Sequence, residues 1–198
     1  MPDQDSLKNY MNKRNFSVTP EPQESQTKIE DANYPIFVIQ KHDATRLHYD
    51  FRLEIGGVLK SWSIPKGPST NPKDKRLAIP TEDHPMSYAN FEGVIPEQQY
   101  GAGPVIVWDT GTFRNTTEKN SKPISTEQGW EEGHLTFELF GHKLKGEWAL
   151  TRFKTGEDEA WLLIKKTDNE ANPDKDIVKE EPQSVLSGKT IEALKQEK

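Results

Sequence analysis

Residues 41–54 concentrate side chains that can bind metal ions and anions. The segment reads K-H-D-A-T-R-L-H-Y-D-F-R-L-E and holds two histidines, two aspartates and two arginines. From position 48 to position 55, ionisable and apolar residues alternate strictly. Successive side chains of a strand point to opposite faces, so the pattern predicts a strand with His48, Asp50 and Arg52 on one face.

His42 lies six positions before His48, on the other side of a segment that can turn back. Two imidazoles and one carboxylate form a facial ligand set that leaves coordination positions open for water and substrate. The sequence therefore makes His42, His48 and Asp50 candidate metal ligands. The alternative is a half-exposed strand whose polar face meets water, and spacing alone does not separate the two interpretations.

A facial set of this kind suits a non-haem Fe(II) oxygenase, and it equally suits a Mn²⁺ or Zn²⁺ hydrolase. The surrounding cations favour the second, because Arg52, Lys66 and Arg76 are the groups that a phosphate needs, whereas a 2-oxoacid needs only one. His84 and Tyr88 follow in a segment that we predict to be a loop.

Composition limits the classes of protein that the chain can be. The 198 residues carry a net charge of −6 and no cysteine, which excludes disulfides and cysteine-based zinc sites. Residues 41–76 nevertheless hold eight Lys/Arg against four Asp/Glu, a pattern that fits a local anion site and equally an ordinary fluctuation of composition. No apolar run approaches the roughly 20 residues of a membrane span, and the acidic N-terminus does not fit a secretory signal. We expect a cytoplasmic, monomeric protein that does not enter a membrane.

The middle of the chain predicts an all-β fold. Many short alternating segments are separated by Gly and Pro turns, and closure into a compact antiparallel β-barrel would remove edge strands. We expect short flanking helices at residues 7–14 and 191–195. The expected divisions are a polar N-terminal arm at 1–35, the barrel at 36–166 and a polar C-terminal tail at 167–198. Within the tail, residues 167–184 are expected to form a linker or an adhering arm.

Several motifs resemble the 3′-phosphoesterase domain of bacterial and archaeal DNA ligase D. Their order and density, from residue 10 to residue 166, make the resemblance specific. The matching stretches are F-V-I-Q-K-H-x-A-T-R-L-H-Y-D-F-R-L-E at 37–54, S-W-x-x-P-K-G-P at 61–68, D-H-P-x-x-Y at 83–88, F-E-G-x-I-P at 91–96, Y-G-A-G-x-V-x-V-W-D at 100–109 and L-K-G-x-W at 144–148.

The resemblance implies a free-standing, prokaryotic, Mn²⁺-dependent enzyme, with Co²⁺ and Zn²⁺ as alternative ions. Its substrates would be the 3′ ends of DNA or of RNA–DNA primer-templates. A terminal ribonucleoside is removed first, and the remaining 3′-phosphate is then removed to leave a 3′-OH for repair. A separately encoded DNA ligase and polymerase are implied partners. A non-catalytic module that binds DNA ends and an Fe(II) oxygenase are the alternatives.

The resemblance also implies roles for individual residues. The residues that match the family's metal ligands are His42, His48 and Asp50. Those that match the lining of its phosphate site are Arg52, Lys66, Arg76, His84 and Tyr88. Those that match residues supporting activity are Arg14, Glu21 and Gln40. Asn15 departs from the pattern, because the family usually has Asp beside the arginine of the arm, and this puts any step that uses that carboxylate in question.

Overall fold

The computed structural model describes residues 5–23 and 33–197, and within these ranges the chain is mostly β-structure. Residues 1–4 and 24–32 of the predicted arm lie outside the described part. The strands are β1 Ile36–Asp43, β2 Leu47–Ile55, β3 Val58–Ile64, β4 Arg76–His84, β5 Gly93–Ile95, β6 Gly103–Asn115, β7 Glu118–Lys119, β8 Lys122–Pro123, β9 His134–Gly141, β10 Lys145–Lys154 and β11 Ala160–Lys165. The helices are α1 Lys8–Asn12, α2 Thr126–Glu132, α3 Ile177–Glu180 and α4 Ile191–Gln196, with a 3₁₀ turn at Met86–Asn90.

Eight antiparallel strands close into a barrel, which confirms the predicted fold class. Their order is β1-β2-β3-β4-β11-β10-β9-β6, and the ring closes because β1 pairs with both β2 and β6. Strand β5 extends the sheet beside β6, while β7 and β8 form a separate hairpin. Closure satisfies the backbone groups that an open sheet would leave at its edges.

The barrel interior is filled by the apolar half of each alternating strand. On β2, Tyr49, Phe51 and Leu53 point inward and are almost completely buried. Four of the five tryptophans join them, and the rings of Trp62 and Trp161 meet edge to face at 5.5 Å between centroids. Large aromatic side chains give this chain a sizeable core although only 32% of its residues are hydrophobic.

The polar half of β2 consequently faces outward, and a second apolar cluster covers part of this outer wall. Val38 and Leu59 belong to that cluster, together with Tyr10 of α1 and Tyr88 of the 3₁₀ turn. The N-terminal arm is therefore packed onto the barrel wall at the face that carries the ionisable residues. This packing creates a buried polar site outside the barrel interior.

The C-terminal tail adheres to the barrel. Ile177 of α3 enters the main core, and Ile191 and Leu194 of α4 bury themselves against Ile106 of β6. The indole Nε1 of Trp108 donates to the Glu181 carbonyl at 2.7 Å. Of the two interpretations open for this segment, the packed arm is the one that the structure adopts.

No helix within the described ranges is long and apolar enough to cross a membrane.

Candidate metal and phosphate site

Two adjacent strands bring the three candidate metal ligands together. His42 at the end of β1 is the register partner of His48 on β2, and Asp50 lies two residues further along the same face. Asp50 Oδ2 is 3.5 Å from His42 Nδ1 and 3.4 Å from His48 Nε2. One donor atom from each residue lies within 4.8 Å of the others, so the three form a group that could hold a metal ion.

Backbone carbonyls hold the remaining ring nitrogens of both histidines. His42 Nε2 lies 2.6 Å from the Gly101 oxygen, and His48 Nδ1 lies 2.9 Å from the Arg46 oxygen. A carbonyl can only accept, so each of these nitrogens carries a hydrogen and donates it. His42 Nδ1 and His48 Nε2 are thus the ring nitrogens that face Asp50, and outer nitrogens held by carbonyls are the usual outer-shell arrangement of metal-binding histidines.

The charge states fit this donor set. Burial opposes ionisation of Asp50, but the Arg52 charge and the hydrogen bonds from the two histidines hold the pKa of the carboxyl well below its usual range. Burial also opposes protonation of His48, and the hydrogen bond and charge of Asp50 outweigh it and raise the pKa of His48. An ionised carboxylate between two imidazoles suits a divalent ion with mixed nitrogen and oxygen ligands.

Arg52 continues the polar face of β2 and is fixed on three sides. Its Nε donates to Gln40 Oε1 at 2.8 Å, its Nη1 donates to Ser61 Oγ at 2.8 Å, and its Nη2 lies 3.6 Å from Asp50 Oδ2. Gln40 is itself anchored, because its amide donates to the carbonyl oxygens of Tyr88 and Phe91 at 3.0 and 3.1 Å. The guanidinium is thereby preorganised beside the candidate metal ligands.

His84 lies between two guanidinium groups. Arg52 Nη1 is 3.1 Å from its Nδ1, and Arg14 Nη2 is 3.5 Å from its Nε2. Burial, followed by the positive charges of Arg52 and Arg14, holds the pKa of His84 well below its ordinary value. The ring is therefore neutral near pH 7, and a phosphate dianion beside it would favour the protonated form.

The N-terminal arm closes the site through Arg14 and Glu21. Arg14 Nε donates to Glu21 Oε1 at 2.8 Å, and the Tyr88 hydroxyl donates to the same oxygen at 2.9 Å. Burial and the neighbouring Glu21 charge raise the pKa of Tyr88 well above its ordinary value. The phenol consequently remains a hydrogen-bond donor.

A cavity of about 350 Å³ opens where these elements meet. Most of the sequence-predicted site residues line it, and they come from the arm, β1, β2, β4 and the 3₁₀ turn. They are Arg14, Glu21, His42, His48, Asp50, Arg52, His84 and Tyr88.

The structure does not bring Gln40, Lys66 and Arg76 to the cavity wall. Gln40 supports Arg52 from behind, and Lys66 is exposed just after β3. Arg76 begins β4 and pairs with Asp74 at 3.6 Å, while its buried Nε has no hydrogen-bond partner among the described residues. These two cations stand near the end of β2 that carries His48, since Ile64 at the end of β3 pairs with Tyr49.

The prediction that His84 and Tyr88 lie in a loop was wrong. His84 ends β4, and Tyr88 lies in the 3₁₀ turn that follows. The same strand supplies Glu82, which sequence reasoning did not select. Glu82 accepts from Lys13 at 2.8 Å and from Arg14 at 3.1 Å. Its spacing of two residues from His84 would have placed both on one face, had the segment been recognised as a strand.

Asn15 takes a local structural role. Its Oδ1 accepts the Ser17 amide at 3.1 Å, and its own amide lies 3.4 Å from Gln99 Oε1. The exposed side chain caps the turn after α1 and does not line the cavity. Asp can accept the same hydrogen bond, so this turn does not distinguish Asn from Asp.

Comparison with known proteins places this site in a family. Residues 40–152 match the family described as the DNA Ligase D 3′-phosphoesterase domain. The chain is 47% identical over 194 residues to the multifunctional non-homologous end joining protein LigD of Pseudomonas aeruginosa, covering 96% of this chain and 22% of that protein. It is 46% identical over 149 residues to the corresponding protein of Mycobacterium tuberculosis, covering 75% and 18%.

A third relative, from Mycolicibacterium smegmatis, is 39% identical over 165 residues, covering 83% of this chain and 21% of that protein. The chain thus spans about a fifth of the length of these relatives. The family match includes the three candidate metal ligands, together with β4 and the 3₁₀ turn. The chain belongs to the DNA ligase D 3′-phosphoesterase domain family.

Proposed function

We propose that this protein is a metal-dependent phosphoesterase that heals the 3′ ends of DNA, with Mn²⁺ as its ion. It removes a 3′-terminal ribonucleoside by phosphodiester hydrolysis, and it then removes the 3′-phosphate to give a 3′-OH for DNA repair. The substrates are DNA or RNA–DNA primer-templates. A DNA ligase and a polymerase that use the resulting 3′-OH are the proposed partners.

One observation carries this proposal: the metal-ligand group and a preorganised guanidinium share one face of β2 and one cavity. Asp50 lies beside both histidines and 3.6 Å from Arg52 Nη2. A divalent ion bound by His42, His48 and Asp50 would polarise a phosphate oxygen. Nitrogen and oxygen donors together suit Mn²⁺, and the absence of cysteine in the chain argues against a closed thiolate zinc site.

The remaining residues are suited to phosphate recognition. Arg52 would hold the scissile phosphate and offset the charge that develops on its oxygens, since its position is fixed before the substrate arrives. His84, neutral in the free protein, would gain a proton as the phosphate binds, and it would then donate that proton to the leaving oxygen. Tyr88 keeps its hydroxyl hydrogen and would orient Glu21 and the arm.

Lys66 and Arg76 would contact the substrate from outside the cavity. Arg76 Nε is a buried donor without a partner among the described residues, and Lys66 is free to swing because it is exposed. Both would add positive charge for the dianionic end that the second step has to bind.

The test uses a labelled primer-template that ends in one ribonucleotide, incubated with Mn²⁺ or with EDTA. We expect conversion first to a 3′-phosphate and then to a 3′-OH with Mn²⁺, and no product with EDTA or with His48→Ala. Binding without conversion would instead indicate an end-binding module. Turnover that requires Fe(II) and a 2-oxoacid would indicate an oxygenase. A fully active His48→Ala protein would contradict the metal assignment.

A further inference from the structure

Tyr100 stands at the mouth of the cavity with no role in the site described so far. The residue lies between β5 and β6, next to Gly101, whose carbonyl holds His42. It lines the same cavity as the metal ligands, yet 51% of it is exposed. A single exposed aromatic residue needs no explanation by itself, but one on the wall of a polar cavity can contact whatever enters.

The ring is held in place by the N-terminal arm. Lys13 Nζ lies 4.5 Å from the centroid of the Tyr100 ring, and Arg14 Cζ lies 5.7 Å from it. Lys13 is fixed in turn by its 2.8 Å contact with Glu82. Cations this close to an aromatic face are attracted by the ring. Tyr100 is thereby a preorganised aromatic surface with much of its area open.

The residues around the Tyr100 ring favour a nucleic-acid strand as the ligand of this surface. Lys13 at the ring and Arg46, exposed beside the cavity-lining Thr45, offer positive charge for backbone phosphates. Proteins that bind single-stranded ends combine such cations with aromatic rings on which bases stack. Tyr100 lines the same cavity as the three candidate ligands, and Gly101, the next residue, contacts His42 directly.

We propose that Tyr100 stacks on the nucleobase of the nucleoside whose 3′-phosphate enters the metal site. This inference rests on the proposed function and deepens it by assigning the binding surface for the base. Stacking is tolerant of base identity, because every base has a π-face. The site would thus distinguish ends that carry a base from ends that lack one, without selecting among bases.

The experiment measures binding and turnover separately. A primer-template with 2-aminopurine as its 3′-terminal base and a 3′-phosphate is titrated in EDTA, where stacking on the ring quenches the fluorescence. Hydrolysis of unlabelled 3′-phosphate ends, either with a normal base or abasic, is then measured with Mn²⁺. Tyr100→Ala and Tyr100→Phe are compared with wild type, and Tyr34→Ala is the control. Tyr34 is equally exposed at 51% and does not line the cavity.

We expect Tyr100→Ala to lose the quenching and to raise KM about tenfold on ends with a base, with little change in kcat. Tyr100→Phe and Tyr34→Ala should behave as wild type. Tyr100→Ala should hydrolyse abasic ends with the same KM and kcat as wild type. An equal loss on both kinds of end, no loss on either, or quenching that survives Tyr100→Ala would overturn the proposal. Quenched binding by a wild type that hydrolyses neither end would support stacking and refute the proposed function.

Discussion

Arg14 and Glu21 form an ion pair at 2.8 Å in which only 4% and 0% of the two side chains are exposed. Removing one partner of a buried pair costs about 3–5 kcal/mol, because the other charge stays unpaired. The pair attaches the arm to the barrel. If one partner is removed, the arm can detach from the barrel wall, and the remaining charge is then exposed to water. The arm and the cavity it covers therefore depend on this pair, in addition to the packing of Tyr10 and the contacts of the arm with Glu82.

Glu21→Gln is expected to release the arm while the barrel stays folded. Amide hydrogen exchange in residues 7–21 should accelerate more than in β2, and activity on 3′ ends should fall at least tenfold. The matched control is Glu138→Gln in the exposed pair with Arg114, where the loss should be about 1 kcal/mol or less. Unchanged exchange in the arm would contradict this view of the pair.

Metal binding should stabilise the folded protein. An ion that binds only the native state at 100 times its Kd adds about 2.7 kcal/mol to the free energy of unfolding. We expect Mn²⁺ to raise the Tm of wild type and of the control His134→Ala, whose histidine lies far along the chain on β9. Asp50→Asn should show no such rise in a thermal melt. A rise of the same size in Asp50→Asn would exclude Asp50 as a ligand.

Gln40 supports Arg52, and its loss should reduce both stability and rate. Gln40→Leu leaves Arg52 Nε without its acceptor and deprives the Tyr88 and Phe91 carbonyls of their donor. Buried groups left unsatisfied cost about 1–3 kcal/mol each, so urea denaturation should show a loss of about 2–3 kcal/mol after partial relaxation. Ser61→Ala, which removes one of the Arg52 contacts, should lose less. An equal loss of unfolding free energy in the two variants would indicate that Gln40 contributes only through its hydrogen bond with Arg52.

Asn15→Asp restores the residue that is usual in the family at a position where the structure shows a turn cap. Both side chains accept the Ser17 amide, so we expect stability to change by no more than about 0.5 kcal/mol and activity by less than about twofold. Parallel assays on ribonucleotide and 3′-phosphate ends check both steps. A large gain in either step would show that a carboxylate at this position takes part in the reaction.

Lys143 should give the protein a pH-dependent stability on the alkaline side. Burial lowers the pKa of Lys143 to about 8, against an ordinary value of 10.5. Between these values the unfolded chain binds a proton that the folded chain has released, so the free energy of unfolding rises with pH from about 8 to 10.5. Lys143→Met should abolish this rise in urea melts across that range. A rise of equal size in the variant would assign it to another group.

The strand pattern of β2 predicted more of the site than any other feature. Alternation is a local property, so it placed His48, Asp50 and Arg52 on one face without knowledge of the rest of the fold. The closed barrel also followed, because short alternating segments with Gly and Pro turns have few other ways to bury their apolar halves.

Contacts between distant parts of the chain were beyond such reasoning. Glu82 meets Arg14 across 68 positions, and no periodicity connects α1 with β4. The polar composition of the arm gave no sign that Tyr10 and Glu21 would be buried, since their burial depends on the outer wall that they cover. The positions of Lys66 and Arg76 outside the cavity likewise depend on how β3 and β4 end.

The acceptors that orient the two histidines are main-chain oxygens, at Arg46 and Gly101. Every amino acid has such an oxygen, so no substitution at these two positions can remove the acceptor as long as the backbone conformation is unchanged. Gly101 is the sensitive position, because its φ is +73° and a Cβ there would lie 3.3 Å from His42 Cε1. The rim can therefore diverge in sequence at positions other than Gly101 while the geometry of the candidate metal ligands stays constant.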